Sequence, residues 1–194
     1  EKLTLKNPEY LKWVTRYTTQ VLEQDLGNTG DITTLSVLGE ATNRGKAVVR
    51  AKEDGVIAGI EEAAWFHNQY QIEVTRLVND GEAATEGEPI LELVGSENRL
   101  LETERTGLEV LQRMSGIATM THKLVNKIKA DDLDTMVAAT RKTYWQLLDK
   151  KAVAIGGGLT HRLGLYESIL VKDNHLEGLK RAGFTRNYIE EALK

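Results

Sequence analysis

The chain has 194 residues, of which 41% are hydrophobic, and a formal net charge of −4 at pH 7. This size and composition predict a buried core in one large or two small domains, and the acidic balance argues against a nucleic-acid partner. Because the sequence contains no cysteine, no bilayer-length apolar run and no signal-peptide core, we exclude disulfides and thiolate chemistry and expect a cytoplasmic protein without a membrane partner.

The first predicted element is a helix over residues 7–26, in which apolar side chains recur on one face and Pro8 lies near the start. This helix ends at Gly27. The sequence at residues 30–34 then predicts a turn in which the Asp31 side chain caps a backbone N–H group. The chain therefore opens with an amphipathic helix followed by a tight turn.

Short β-like runs occur between residues 45 and 94, and glycine-containing turns separate them. The predicted strands are residues 46–51, 56–59, 72–78 and 90–93. Between the second and third strands, residues 61–70 have the pattern of a helix. These elements predict a small α/β sandwich, which we assign to an N-terminal domain over residues 1–102.

A long helix is predicted over residues 100–130, where apolar side chains recur at helical intervals. Gly107 and Gly116 lie within it, and each glycine costs about 1 kcal/mol relative to alanine in a helix. One of the two is therefore expected to mark a break or a close backbone approach.

Strand and helix patterns alternate after residue 130, which predicts parallel strands in a sheet or barrel. The order is a strand at residues 135–139, a helix at residues 145–154, a glycine-rich loop, a strand at residues 168–171 and a further helix. A complete α/β barrel takes roughly 200 to 250 residues. We therefore expect residues 103–194 to form an incomplete α/β barrel domain, with the chain stopping mid-barrel.

Basic residues follow the apolar runs of this second part. Arg141 and Lys142 come after the first predicted strand, Arg162 follows the glycine-rich loop, and Lys172 follows the second strand. The carboxyl ends of parallel strands open on one face, where α/β proteins place their active sites. This spacing predicts a pocket for a small ligand with several anionic groups. We expect other cations nearby to be solvated surface residues; they are Lys150, Lys151, Lys180 and Arg181.

Five motifs in the second half of the chain resemble the quinolinate phosphoribosyltransferase family in order and spacing. They are Glu-Arg-Thr at 104–106, Ser-Gly-Ile-Ala-Thr at 115–119, Thr-Arg-Lys-Thr at 140–143, the glycines at 156–158 with His-Arg-Leu-Gly-Leu-Tyr at 161–166, and Val-Lys-Asp-Asn-His at 171–175. Residues 24–27 and 30–34 belong to the same family pattern. The resemblance thus covers nearly the whole chain.

The resemblance implies a glycosyltransferase of NAD biosynthesis, specifically a pentosyltransferase. Such an enzyme converts quinolinate and phosphoribosyl pyrophosphate to nicotinate mononucleotide, pyrophosphate and carbon dioxide, and it requires Mg²⁺. Orientation and electrostatics would drive this reaction, so we assign no catalytic nucleophile or general base. The family's acidic metal-binding residues are expected after Lys194, which leaves the metal ligands unknown.

The resemblance also implies seven substrate-binding residues, which are Arg105, Thr140, Arg141, Lys142, His161, Arg162 and Lys172. Arginine suits the two adjacent carboxylates of quinolinate because its planar guanidinium binds carboxylate in a bidentate manner. Lys142 fits a contact to quinolinate and Lys172 a contact to the sugar donor. In the family, the equivalent of Arg105 reaches the site of a neighbouring subunit, which implies a homodimer and permits a higher oligomer.

The chain departs from the family after Thr143, where Tyr144 and Trp145 replace a Thr-Pro-Gly-Leu-Arg type of segment and alter one wall of the pocket. Two alternatives stay open. One is a phosphoribosyltransferase-like paralogue of the molybdenum-utilisation type, and the other is a non-catalytic anion-binding subunit. For Asn174 and His175, helix capping and a functional role are equally compatible with the sequence.

Overall fold

The computed structural model describes residues 2–39 and 43–183. The chain divides into two compact units, Glu1–His161 and Arg162–Lys194. The first unit contains helices α1 to α5, a three-stranded sheet and a two-stranded sheet; the second unit contains helix α6. Each helix in the described ranges is too short or too polar to traverse a lipid bilayer.

Helix α1, Pro8–Leu26, matches the first predicted helix. It begins where the Asn7 side chain accepts a hydrogen bond from the Glu9 backbone N–H at 3.0 Å, and Pro8 occupies the first turn, where its missing N–H costs nothing. Helix α2, Ile32–Leu38, lies where a turn is predicted. Asp31 caps it by accepting from the Thr34 N–H at 2.9 Å. The predicted capping is confirmed, but the backbone continues as a helix.

Strands β1, Arg44–Arg50, and β3, Glu73–Arg76, pair antiparallel with the central strand β5, Pro89–Ser96. A second, two-stranded sheet joins β2, Gly55–Val56, to β4, Ala83–Ala84. Helix α3, Ile60–Gln69, follows β2. Leu91 of the central strand is fully buried in a core with apolar residues of α3 and of the long helix that follows.

Helix α4, Glu97–Ala130, runs for 34 residues without a break. A methyl group on Gly107 would collide with the His67 imidazole, whereas open space surrounds Gly116. Gly107 therefore marks a close approach between α4 and α3. Two polar side chains fix α4 to the sheet region: Ser115 Oγ accepts from the Ala58 N–H at 3.0 Å, and Thr119 Oγ1 accepts from the Val56 N–H at 2.9 Å.

The strand predicted at residues 135–139 is reduced to a parallel bridge between Ala138 and Leu159. Its hydrogen bonds run from the Ala139 N–H to the Leu159 carbonyl and from the Leu159 N–H to the Val137 carbonyl, both at 2.8 Å. Parallel strands are stable when both faces are covered, but Met136 is 75% exposed. Helix α5, Leu147–Ile155, lies between the two bridged segments.

In the second unit, residues 168–171 form no strand, and Ile169 is 73% exposed. The prediction of a strand there is wrong for the same physical reason: this apolar run has no covered faces in the described part of the unit. The helix predicted after it is present as α6, Asp173–Arg181. The second unit thus supplies a short helix preceded by irregular backbone.

Candidate active site

A pocket of about 440 Å³ opens between α1, α4 and the loop that precedes α5. Its lining residues are Tyr17, Gln20, Val21, Gln24, Asp25, Arg105, Glu109, Tyr144 and Trp145. This pocket combines three features that the sequence singles out separately: the Gln24-Asp25 motif, Arg105 and the aromatic pair after Thr143. Its volume suits a small organic ligand.

A packed set of side chains fixes the aromatic wall of this pocket. The ring centroids of Tyr17 and Trp145 lie 3.7 Å apart, and the Arg113 guanidinium lies 4.9 Å from the Trp145 ring centroid. Arg113 also donates two hydrogen bonds of 2.8 Å to the carboxylate of Asp149 on α5. Burial, together with the nearby charge of Glu109, raises the pKa of Tyr17. Tyr17 therefore stays a neutral phenol at physiological pH.

Arg105 lies on the exposed side of α4 at the edge of the pocket. Within residues 2–39 and 43–183, its guanidinium forms no ion pair. A solvated cation beside aromatic rings can bind a carboxylate without first breaking an internal contact. The position of Arg105 is thus compatible with an anionic ligand, and its role in substrate binding stays a prediction.

The parallel bridge brings two predicted binding segments side by side. Thr140, Arg141 and Lys142 follow Ala138, and His161 follows Leu159, so both sets lie at the carboxyl ends of the paired segments. Thr140 Oγ1 accepts from the Lys142 N–H at 3.0 Å, which makes a local turn. The side chains of all four residues are exposed. Their contact with a substrate stays a prediction.

The glycine-rich loop allows close packing beneath this pair of segments. A methyl group on Gly156 would collide with the Ala118 carbonyl of α4, and one on Gly158 would lie 2.7 Å from Val153 of α5. Only glycine, which has no side chain, permits this close packing at both positions. His161, which follows the loop, has a backbone φ of 52°, a left-handed value that non-glycine residues rarely adopt.

In the second unit, Arg162 is 9% exposed, and its Nη1 donates to the Ser168 carbonyl at 3.0 Å. Lys172 precedes α6 and has an exposed side chain. Its backbone N–H donates to His175 Nδ1 at 3.0 Å. His175 therefore caps α6, which favours the structural alternative that the sequence leaves open. The proposed substrate contacts of Arg162 and Lys172 stay predictions.

The expectation that Lys150 and Lys151 are solvated is wrong. Lys150 is 1% exposed, and its Nζ donates to the Thr160 carbonyl at 2.5 Å. Lys151 is 8% exposed, and its Nζ contacts Glu61 Oε2 at 2.5 Å and Glu62 Oε1 at 2.6 Å. The apolar residues Leu147, Leu148 and Ala152 around them are the signal that could have predicted burial, since they indicate a helix covered on several sides.

The carboxylates of Glu61, Glu62 and Asp80 approach within 4.8 Å of one another, which raises the question of a metal site. The Lys151 ammonium already contacts two of them, and Asp80 Oδ1 accepts from the Ile60 N–H at 2.9 Å at the start of α3. Burial opposes the charge of Lys151, but its two carboxylate partners raise its pKa overall. Because an ammonium fills the position that a cation would take, these residues do not fit Mg²⁺.

Comparison with known proteins gives matches over most of the chain. Residues 31–115 match the family model of the quinolinate phosphoribosyl transferase N-terminal domain. Residues 117–192 match the family model of the quinolinate phosphoribosyl transferase C-terminal domain. A probable nicotinate-nucleotide pyrophosphorylase (carboxylating) of Methanocaldococcus jannaschii is 45% identical over 165 residues, which cover 83% of this chain and 57% of that protein. A protein of the same name from Methanothermobacter thermautotrophicus is 39% identical and covers 75% of this chain and 53% of its own length.

Solved structures agree with these matches. The nicotinate-nucleotide pyrophosphorylase of Francisella tularensis has a TM-score of 0.76 and 35% identity, with 86% of this chain and 59% of that chain covered. The likeness confirms the predicted fold class, an α/β sandwich followed by part of an α/β barrel. The chain spans little more than half the length of the curated relatives it matches. The predicted domain boundary at residue 102 stays a prediction.

Proposed function

We propose, because the chain belongs to the quinolinate phosphoribosyltransferase family, that it forms part of an enzyme that transfers a phosphoribosyl group to quinolinate. The products would be nicotinate mononucleotide, pyrophosphate and carbon dioxide, as the resemblance implies. The observation that carries this proposal is the pair of parallel segments that end together at Thr140–Lys142 and His161. Arg141 and Lys142 are exposed just after one of these segments, and α/β enzymes bind ligands at the carboxyl ends of parallel strands.

The chemistry of quinolinate supports this assignment. Its two adjacent carboxylates can pair with cations of two kinds: the planar guanidinium of Arg141 and the compact ammonium of Lys142. The exposed position of both side chains leaves them able to turn towards a bound anion. These residues would orient the pyridine nitrogen for attack on the ribose, a contribution that needs no protein nucleophile.

The proposal includes a magnesium requirement, a homodimer that shares Arg105 between subunits and a cytoplasmic location. Magnesium, when bound, would neutralise charge on the leaving pyrophosphate. The carboxylate cluster around Lys151 does not fit that ion, so we assign no ligand to it. The guanidinium of Arg105, which forms no ion pair within the described residues, supports a role in binding an anion, including one held by a second subunit.

Titration calorimetry with quinolinate at low salt tests the proposal. We expect the wild-type chain to bind, and we expect Arg141→Ala to weaken binding at least about tenfold because a charge-assisted hydrogen bond is lost. Lys180→Ala is the matched control, since Lys180 is an exposed cation that pairs with Glu177 in α6. Nicotinate, with one carboxylate, should bind more weakly than quinolinate.

Two results would contradict the proposal. Absence of quinolinate binding by the wild-type protein would favour a paralogue with another substrate or an anion-binding subunit. Equal losses in Arg141→Ala and Lys180→Ala would show a general charge effect rather than a site.

A further inference from the structure

We infer that Lys150 is a positioning residue that sets the orientation of His161, an inference that rests on the proposed function. Lys150 is almost completely buried on α5, yet its ammonium reaches out of the helix to the backbone carbonyl of Thr160 at 2.5 Å. That carbonyl belongs to the peptide unit that links Thr160 to His161. The lysine therefore holds the plane of the peptide from which the predicted site residue projects.

The backbone at His161 needs such a restraint. Its φ of 52° lies in the left-handed region, which L side chains rarely adopt and which surrounding contacts must stabilise. Strain of this kind at a residue that projects from a predicted site is typical of functional positions. A charged donor on the preceding carbonyl fixes that peptide more strongly than a neutral donor would.

Helix α5, which carries Lys150, is held in place by buried contacts. Leu148 and Ala152 are fully buried on either side of it, and the adjacent Lys151 is held by the carboxylates of Glu61 and Glu62. The Lys151 ammonium also lies 5.3 Å from the Tyr10 ring centroid. The two neighbouring lysines therefore make separate contacts: Lys151 pairs with carboxylates of α3 and lies near Tyr10 of α1, whereas Lys150 holds the peptide before His161.

Through the parallel bridge, the restraint on the Thr160 carbonyl also affects the paired segment. Leu159, one residue before the restrained carbonyl, pairs with the segment that leads into Thr140 and Arg141. Because Lys150 fixes one of the two paired segments near its end, it also limits how the two sets of exposed side chains face each other. Lys150 acts through the backbone and is not itself expected to contact substrate.

The test compares Lys150→Met with Lys151→Met, a matched control on the same helix with similar burial. We expect Lys150→Met to weaken quinolinate binding on the order of tenfold, because small misplacements of site residues are costly. Lys151→Met should lower the melting temperature but leave the dissociation constant within about twofold, since its contacts lie away from His161. Lys150→Arg, which keeps a cationic donor, should recover part of the lost affinity.

A double-mutant cycle separates positioning from general stability. In a His161→Ala background, Lys150→Met should change quinolinate affinity less than about twofold, because the residue through which it acts is gone. If Lys150→Met does not fold, Lys150→Arg in the same cycle carries the test. Unchanged affinity in Lys150→Met, or the same loss with and without His161, would overturn the inference.

Nuclear magnetic resonance distinguishes failure of this inference from failure of the proposed function. The carbonyl carbon of Thr160 and the amide of His161 should both shift in Lys150→Met, which removes the donor, and stay in place in Lys151→Met. If wild-type protein does not bind quinolinate, the proposed function fails, whereas these signals still decide whether Lys150 sets the backbone. Unshifted signals in Lys150→Met would contradict the positioning role even where quinolinate binds.

Discussion

Residues 44–96 and residues 131–161 belong to the same compact unit and have similar apolar runs, yet only the first set forms regular sheets. The strands of the first set pair antiparallel around β5 and bury residues such as Leu91. In the second set, Ala138 and Leu159 make a bridge, and Met136 remains 75% exposed. An apolar run therefore becomes a strand when neighbouring segments cover it. A parallel strand needs cover on both faces, whereas an antiparallel strand can leave one face exposed.

The largest expected effect is on stability, and it compares a buried residue of the first set with an exposed residue of the second. Leu91 is fully buried in the central strand, so Leu91→Ala should lower the free energy of unfolding by about 2 to 5 kcal/mol. Met136→Ala should change it by less than about 0.5 kcal/mol, because Met136 is mostly exposed. Urea denaturation of both variants measures the difference. Similar losses would show that residues 131–161 have a packed core of their own.

A second effect concerns the contact between α3 and α4. Burial lowers the pKa of His67 to about 4 from its ordinary value of 6.5. Thr103 Oγ1 donates to the Arg99 carbonyl at 2.7 Å, so its 3.2 Å contact with His67 Nδ1 is one in which the neutral imidazole donates. Protonation would place a charge in this buried contact.

The folded state therefore binds the proton of His67 more weakly than the unfolded state does. The contribution of neutral His67 to the free energy of unfolding is fully present above pH 6.5. It is lost as the pH falls towards 4, by roughly 3 kcal/mol in total. Urea titrations at several pH values in this window should show the loss in the wild-type protein and a smaller slope in His67→Phe. Equal slopes would show that His67 is protonated in the folded protein.

The smallest effects compare the two glycines of α4. Gly107→Ala should destabilise the protein by about 1 to 3 kcal/mol, because the added methyl group would collide with His67. Gly116→Ala should stabilise it by about 1 kcal/mol, since the position is helical and open. Thermal denaturation followed by circular dichroism detects opposite shifts. Shifts of the same sign would contradict the close approach at Gly107.

Helix-capping residues and glycine turns in the sequence predict much of this fold. Asn7 and Pro8 mark the start of α1, and the glycine turns mark the strands of the sandwich. Helix α2 was not predicted because Asp31 suits both a turn and a helix cap. The strand at residues 135–139 was overestimated, since periodicity does not reveal whether neighbours will cover both faces of a parallel strand.

For the candidate site, the exposed cations at residues 140–142 were predictable from their position after an apolar run. The contribution of α1 was not, because the contact between Tyr17 and Trp145 joins residues far apart in sequence. The two buried lysines of α5 were missed for a different reason. A charged residue is usually solvated, and only its tertiary partners, such as the Glu61 carboxylate for Lys151, make its burial stable.

The packed side chains at the pocket wall give the protein an intrinsic fluorescent reporter. Trp145 is the most buried of the three tryptophans, and it contacts both the Tyr17 ring and the Arg113 guanidinium at the edge of the pocket. Its indole should emit at shorter wavelength than the partly exposed Trp13 and Trp65. A ligand that enters the pocket would change this emission, so occupancy could be followed by intrinsic fluorescence without a label.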